Sequence, residues 1–368
     1  MYSDIENSRK WGYWDISSSN PLIIAGPCSA ESENQVLKTA RELKSSGKVH
    51  LFRSGIWKPR TRAGQFEGKG HIALEWLKNM REEIDLPFVI EVANTRHVDH
   101  ALNASANALW IGARTTVNPF YVQEIAESLR GTDIPVLIKN PIHADLGLWL
   151  GAFERLEKSG LHNLAAVHRG FFASNSAPFR NDPRWEISFD FRRAAPTIPI
   201  ICDPSHIAGK RELIEQITRV AMDIQMDGLM VEVHHSPKDA LSDPDQQITP
   251  GKLISLLKEL DLESKAVTPR ELQKLISDQR KILDNIDKSI VNALKKRMKI
   301  VDELGHIKAN NNASVFQMER WFDLLKKRGN QARELGLNEN FINELFQIIH
   351  KYSVEQQNKI YQHFRDKE

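Results

Sequence analysis

The stretch Leu22-Ile23-Ile24-Ala25-Gly26-Pro27-Cys28-Ser29-Ala30-Glu31 decides how the larger part of the chain is read. An apolar run stops at Gly26-Pro27, passes through a polar loop and gives way to a helical stretch. The same succession recurs at residues 49–53, 88–92, 108–111, 136–139, 164–168, 198–202 and 229–233, which makes eight runs in all. Short continuous apolar runs separated by helical segments mark parallel strands covered on both faces, and eight of them within roughly 250 residues fit a (β/α)8 barrel. A doubly wound open sheet is the alternative. It is disfavoured because no GxGxxG turn follows the first run.

After Asp261 the strand pattern stops, so the sequence divides into a barrel over 1–261, a linker over 262–269 and a helical unit over 270–368. Thr268-Pro269-Arg270-Glu271 supplies an N-cap, a proline at the first helical position and a capping-box glutamate. Apolar residues at Leu272, Ile276, Leu283, Ile286, Ile290, Leu294, Met298, Val301 and Leu304 then hold helical spacing until Asn310-Asn311-Asn312. At 1.5 Å per residue that helix is on the order of 60 Å long, more than one small globule covers, so a partner chain is expected. Two further helices are expected, one from Ser314 to just before Gly336 and one from near Asn338 to the C-terminus.

Composition narrows the possible functions. The 50 Lys+Arg against 48 Asp+Glu leave a formal charge of +2, without the basic excess that a nucleic-acid partner demands. No apolar run approaches the roughly 20 residues of a membrane span, and residues 1–14 are charged and aromatic rather than signal-like, which points to a cytoplasmic protein. Two cysteines, Cys28 and Cys202, cannot make a disulfide framework, and each is left for packing or metal.

In a barrel, residues just past each strand form the catalytic rim. Here the second run leads into Arg53-Ser54-Gly55-Ile56-Trp57-Lys58-Pro59-Arg60-Thr61, the fourth into Gly112-Ala113-Arg114, and the fifth ends at Lys139. The last three lead into His168-Arg169-Gly170, Cys202-Asp203-Pro204-Ser205-His206 and Glu232-Val233-His234. Arg53, Lys58, Arg114, Lys139 and Arg169 thus share one rim, and a polyanionic ligand is the natural reason to gather like charges there. Cys28, His206, Glu232 and Asp243 combine thiolate, imidazole and carboxylates, a set suited to a divalent manganese, iron, cobalt or zinc ion rather than to magnesium alone. Cys202, inside an apolar run, reads as packing, and His234 and His235 read as neighbours of a ligand.

In their order, Gly26-Pro27-Cys28-Ser29, Lys58-Pro59-Arg60-Thr61, Gly112-Ala113-Arg114 and Asp203-Pro204-Ser205-His206 are specific. Residues 21–260 resemble 3-deoxy-D-arabino-heptulosonate 7-phosphate (DAHP) synthases, in the branch that also holds 3-deoxy-manno-octulosonate 8-phosphate synthases. The resemblance implies metal ligands at Cys28, His206, Glu232 and Asp243, and phosphoenolpyruvate contacts at Arg53, Lys58, Arg114, Lys139 and Arg169. It implies erythrose 4-phosphate contacts at Lys58, Pro59, Arg60 and Thr61, where the octulosonate enzymes typically carry Lys-Ala-Asn-Arg-Ser. His168 departs from the glutamate that many relatives place before Arg-Gly.

The helical part, with cations on its first helix and Ser353-Val354-Glu355-Gln356-Gln357 late in its third, resembles the all-helical class of chorismate mutase. That resemblance implies chorismate and prephenate contacts at Arg280, Arg297, Lys308, Arg320, Ser353 and Gln357, in an interlocked homodimer. Helix geometry agrees in part: at 100° per residue Arg297 and Lys308 lie about 20° apart on one face, whereas Arg280 lies roughly 100° from Arg297 and suits the partner's site better. Lys295, Lys296 and Lys299 read as a solvated face. Gln317 and Trp321 stand where members of that class commonly have aspartate and glutamate, and Gln317 is alternatively the capping-box partner of Ser314.

The expectation is therefore a bifunctional enzyme of aromatic biosynthesis. The alternatives are a helical unit that only dimerises and senses, or a barrel that takes another aldose phosphate. With only about 20 residues before the first strand, feedback is expected to act through prephenate at Arg297 and Lys308.

Overall fold

The structure is a computed structural model and describes residues 9–17, 20–57, 66–173, 178–264 and 270–365. Its elements run β1 (Arg9–Trp11), β2 (Trp14–Ile16), β3 (Leu22–Gly26), α1 (Glu33–Lys44), β4 (Leu51–Ser54), α2 (His71–Ile84), β5 (Phe88–Val92), α3 (Thr95–Asn103) and β6 (Ala108–Ile111). Then follow α4 (Ala113–Thr116), α5 (Pro119–Ser128), β7 (Val136–Lys139), α6 (Leu146–Lys158), β8 (Leu164–His168), α7 (Trp185–Ala194), β9 (Ile200–Cys202) and α8 (Pro204–Ala208). The rest are α9 (Arg211–Asp223), β10 (Gly228–Glu232), α10 (Pro250–Ser264), α11 (Arg270–Asn310), α12 (Met318–Glu334) and α13 (Glu339–Arg365). By internal contacts the chain divides into two compact units, Met1–Ala266 and Val267–Glu368.

In the first unit β3 to β10 pair in chain order, all parallel, and β10 closes the barrel on β3. Alternation explains why each strand reads as a continuous apolar run. Leu22, Ile24, Leu51, Val89, Trp110, Leu137, Val167, Ile201 and Met230 fill the barrel interior, while Ile23, Ala25, Phe52, Phe88, Ile90 and their counterparts pack under the helices. Both faces are buried, so neither set of positions is left for polar residues.

The hairpin β1–β2 was not foreseen from the sequence. It turns through Gly12 and Tyr13 and inserts Trp11 and Ile16 into the interior core, where the Trp11 indole N–H donates to the Asn163 carbonyl at 3.1 Å. Asn163 precedes β8, so the hairpin closes the end of the barrel opposite the rim.

In the second unit α11 covers 41 residues, ends at Asn310 as expected, and packs with α12 against α13. Among the described residues, Val301 and Ala332 are the apolar side chains buried in this unit, while Ile276, Ile282, Leu283, Ile286, Ile290 and Val291 are 40–63% exposed. Two boundaries differ from expectation. Residues 262–264 of the expected linker belong to α10. The helix expected from Ser314 begins at Met318: Ser314 Oγ donates to the Phe316 carbonyl, and Gln317 holds the N-cap position without a side-chain bond, so the capping box is not made. Thr268 and Pro269 lie outside the described residues.

Candidate active sites

The side chains at the carboxyl ends of the strands meet around Asp203, which is fully buried. Its carboxylate accepts from Lys139 Nζ at 2.8 Å, lies 2.8 Å from His206 Nδ1, and stands 4.0 Å from Arg53 Nη1. Local sequence puts it there: Asp203 is the N-cap of α8, accepting from the His206 backbone N–H, and Pro204 takes the first helical position. Arg53, 1% exposed, donates through Nη2 to Glu232 Oε1 at 3.0 Å. Its Nε and Nη1 are buried and make no hydrogen bond among the described residues. The guanidinium of Arg53 and the ammonium of Lys139 both lie over the Trp110 ring, 5.1 and 5.7 Å from its centroid. The floor of the rim is therefore an aromatic face carrying two buried cations.

Charge compensation is partial. Burial works against both partners of the Lys139–Asp203 pair: the lysine stays below its ordinary pKa, while His206, Lys139 and Arg53 outweigh burial and hold Asp203 well below the carboxylate range. Burial also opposes the Arg53 charge, but Glu232 and Asp203 overcome it and raise that pKa. Arg169 donates through Nη1 to Asn181 Oδ1 at 3.0 Å. Its pKa is lowered to about 10, by burial and by the charges of Arg180 and Arg114 against the opposing pull of Asp203. An anion entering this cluster relieves that repulsion. One glycine of the rim motifs is required by close approach: a Cβ on Gly26 would stand 2.2 Å from the Arg53 carbonyl oxygen, whereas one on Gly112 would meet only the movable carboxylate end of Glu91.

The proposed metal donors stand as two pairs. Cys28 Sγ lies 3.3 Å from Asp243 Oδ2, and His206 Nε2 lies 3.8 Å from Glu232 Oε1. Gln246 links them, donating to Glu232 Oε2 at 2.6 Å and accepting from Arg180, whose Nη1 also donates to Asp243 at 3.2 Å. Among the described residues no group of three or more His, Cys, Asp and Glu is arranged to hold an ion as it stands. The donor chemistry nevertheless fits one. His206 Nδ1–H donates to Asp203, which leaves the Nε2 lone pair directed at Glu232, and burial holds the imidazole pKa below its ordinary value. Asp243, at φ 46°, adopts a left-handed conformation uncommon outside glycine and best tolerated by aspartate and asparagine, at the edge of a cavity of about 520 Å³ lined by Phe66, Arg180, Ser242 and Gln246. Cys202 is buried in the strand core, and burial raises its thiol pKa well above the usual range. His168 is buried between Phe171 and Trp185. Lys58, Pro59, Arg60 and Thr61 lie outside the described residues.

In the helical unit, Arg297 Nη1 donates to Ser353 Oγ at 2.6 Å, and Ser353 in turn donates to the Ile349 carbonyl. Gln357, 7% exposed, has a buried Oε1 without a hydrogen-bond partner. Lys308 Nζ donates to the Val315 carbonyl at 2.8 Å. Burial lowers the pKa of both Arg297 and Lys308. Arg280 is exposed, and Arg320 pairs with Asp323 on the surface, so neither joins this cluster in the single chain.

Comparison with known proteins gives the same division. Residues 15–268 match the DAHP synthetase I family, more than half of the chain. The chain belongs to that family. Residues 279–358 match chorismate mutase type II, so this DAHP synthase barrel is fused to a mutase domain, and the chain is a bifunctional shikimate-pathway enzyme. The phospho-2-dehydro-3-deoxyheptonate aldolase of Thermotoga maritima is 33% identical over 244 residues, 66% of this chain and 68% of that protein. A crystal structure from the same organism, described as DAHP synthase, superposes with a TM-score of 0.63 at 28% identity, covering 70% of this chain and 74% of that one. The 2-dehydro-3-deoxyphosphooctonate aldolase 1 of Arabidopsis thaliana is 29% identical over 272 residues, 67% of this chain and 90% of that protein.

Several residues of the synthase rim escaped the sequence reading of roles. Asp203 lies in the Asp203-Pro204-Ser205-His206 motif, and its N-cap position before Pro204 is the available signal. Trp110, Arg180 and Gln246 give none, because their partners lie 14 to 66 residues away in sequence.

Proposed function

We propose that the barrel condenses phosphoenolpyruvate with erythrose 4-phosphate, giving DAHP and phosphate, and that the helical unit rearranges chorismate to prephenate. The observation that carries the first half is Arg53, a fully buried guanidinium with two donors free of hydrogen bonds, set beside Lys139 on the Trp110 face. Such donors suit the carboxylate and phosphate of phosphoenolpyruvate. Arg114 and Arg169 complete the clamp, and Lys58 with Pro59, Arg60 and Thr61 receives the aldose. Held this way, C3 of the enol attacks the aldehyde carbon, water adds at C2, and the C2–O bond breaks to release phosphate. Cys28, His206, Glu232 and Asp243 would hold a divalent ion of manganese, iron, cobalt or zinc. When bound, that ion would polarise the aldehyde and acidify water. Asp203 keeps the His206 tautomer and the Lys139 ammonium in register.

The mutase rearrangement is pericyclic and requires neither nucleophile nor base, so a pocket that holds the reactive conformer is enough. Arg297 grips a carboxylate, while Lys308 and Gln357 donate to the ether oxygen. Gln357 does so through its amide N–H, with its side-chain oxygen turned elsewhere. The exposed apolar stripe of α11 supports a homodimer through this unit, with Arg280 serving the partner's site and Arg320 turning inward in the pair. Chain composition and the absence of any helix long and apolar enough to cross a membrane, among the described residues, are consistent with a cytoplasmic enzyme.

The test is purified protein assayed with phosphoenolpyruvate and either erythrose 4-phosphate or arabinose 5-phosphate, and separately with chorismate. Erythrose 4-phosphate should be the preferred aldose. Chelation should abolish synthase turnover and leave mutase turnover intact, manganese or cobalt should restore it, and Cys28→Ala should cripple the synthase alone. Full synthase turnover in verified metal-free protein would reject the metal site, and absence of chorismate turnover would leave the helical unit a dimerising sensor.

A further inference from the structure

His350 was singled out by no motif. It lies on α13 one turn before Ser353 and two before Gln357, and at 100° per residue it falls about 20° from Gln357, on the same face. Its ring stacks on Trp321 of α12, with centroids 4.2 Å apart and planes 16° from parallel, and Phe316 approaches from a third side at 5.7 Å. The stack leaves the ring little freedom to turn. Its Nε2 is buried and makes no hydrogen bond among the described residues, an arrangement costly for a polar atom unless a ligand answers it. Burial, and after it the charges of Arg297 and Lys308 of α11 that face the ring, lower its pKa and so favour the uncharged imidazole.

Chorismate carries two carboxylates, an ether oxygen and one ring hydroxyl. Arginine answers the carboxylates, and Lys308 with Gln357 answers the ether, which leaves the hydroxyl for an uncharged group able to donate or accept. We infer that His350, fixed by its stack on Trp321, hydrogen-bonds the ring hydroxyl of chorismate through Nε2 and so selects the hydroxylated substrate. Trp321 is then a positioning residue rather than a contact to a polar group. This rests on the mutase reading above.

The test compares kcat/KM for chorismate and for its analogue lacking the ring hydroxyl, in the wild-type full chain, His350→Leu and His350→Gln. Losing one hydrogen bond to a buried group corresponds to about a 10- to 100-fold loss. Wild type should lose that factor on the deoxy analogue, and His350→Leu should lose it on chorismate with no further loss on the analogue. His350→Gln, which keeps an uncharged donor and acceptor, should recover part of the discrimination. Circular dichroism and synthase turnover should match wild type in both variants. If His350→Leu still discriminates between the two substrates as wild type does, or turns over chorismate normally, the assignment is overturned. A global packing defect would instead lower both substrates equally and preserve their ratio, which also overturns it. A wild-type chain without chorismate turnover would overturn the mutase reading itself, and this contact with it.

Discussion

Replacing Asp203 by asparagine separates charge from shape at the centre of the synthase rim. Asparagine has the same outline and caps a helix as well as aspartate does, so α8 keeps its N-terminus and the cap contributes nothing to the difference. What is lost is a buried negative charge 2.8 Å from the Lys139 ammonium and 4.0 Å from Arg53. At an effective dielectric near 20, a pair at 2.8 Å amounts to about 6 kcal/mol. A neutral hydrogen bond to the amide recovers about 1 kcal/mol, and relaxation reduces the remainder, so a net loss of about 3–5 kcal/mol is expected, as for other buried pairs with one partner removed. Because the cluster becomes more positive, an anion should compensate. Phosphate at saturating concentration should therefore raise the unfolding midpoint of Asp203→Asn more than that of wild type. The assay is urea unfolding followed by synthase-unit fluorescence with and without phosphate, with chorismate turnover in the same samples as the reference for the second unit. Synthase kcat should fall, because His206 and Lys139 lose their orientation, while mutase turnover stays. An unfolding midpoint unchanged from wild type, together with equal phosphate stabilisation, would refute Asp203 as the charge that holds the rim together.

The other expectations concern both units. Lys308→Ala should lower mutase kcat by about 10²–10³, the usual consequence of removing a preorganised donor, without loss of helix content, and near-normal turnover would return Lys308 to a solvated-face role. His168 should make the barrel acid-sensitive. Neither of its ring nitrogens makes a hydrogen bond of good geometry, and burial, only partly offset by the Pro183 backbone, lowers its pKa from 6.5 to about 4. As pH falls below about 6.5 the unfolded chain takes a proton that the folded barrel refuses, so about 3 kcal/mol should be lost by pH 4. The pH dependence of unfolding in His168→Gln should be flatter by that amount, and parallel curves would show that His168 is not its source.

Much of the fold and part of each site were legible because the relevant signals are local. Apolar runs such as Leu22 to Ala25 and Val136 to Lys139 report burial on both faces, and each rim motif lies immediately after its run, so the strands and the residues at their ends follow from spacing alone. The shared face of Arg297 and Lys308 followed from helix geometry in the same way. The start of α12 did not, because Ser314 Oγ turns to the Phe316 carbonyl instead of capping a helix, a local competition that sequence spacing does not rank.

The sequence by itself determined eight barrel strands, a long helical continuation, and which residue types stand on the rim. Tertiary structure alone decided that Asp203 bridges Lys139 and His206, that Trp110 underlies the two buried cations, that Trp11 fills the far end of the barrel, and that His350 stacks on Trp321. The division has a physical cause. Periodicity and capping act over a few residues and leave a mark in the order of the chain. Partnerships such as Arg53 with Glu232 join positions 179 residues apart, and they exist only because barrel closure brings the ends of β4 and β10 to one mouth.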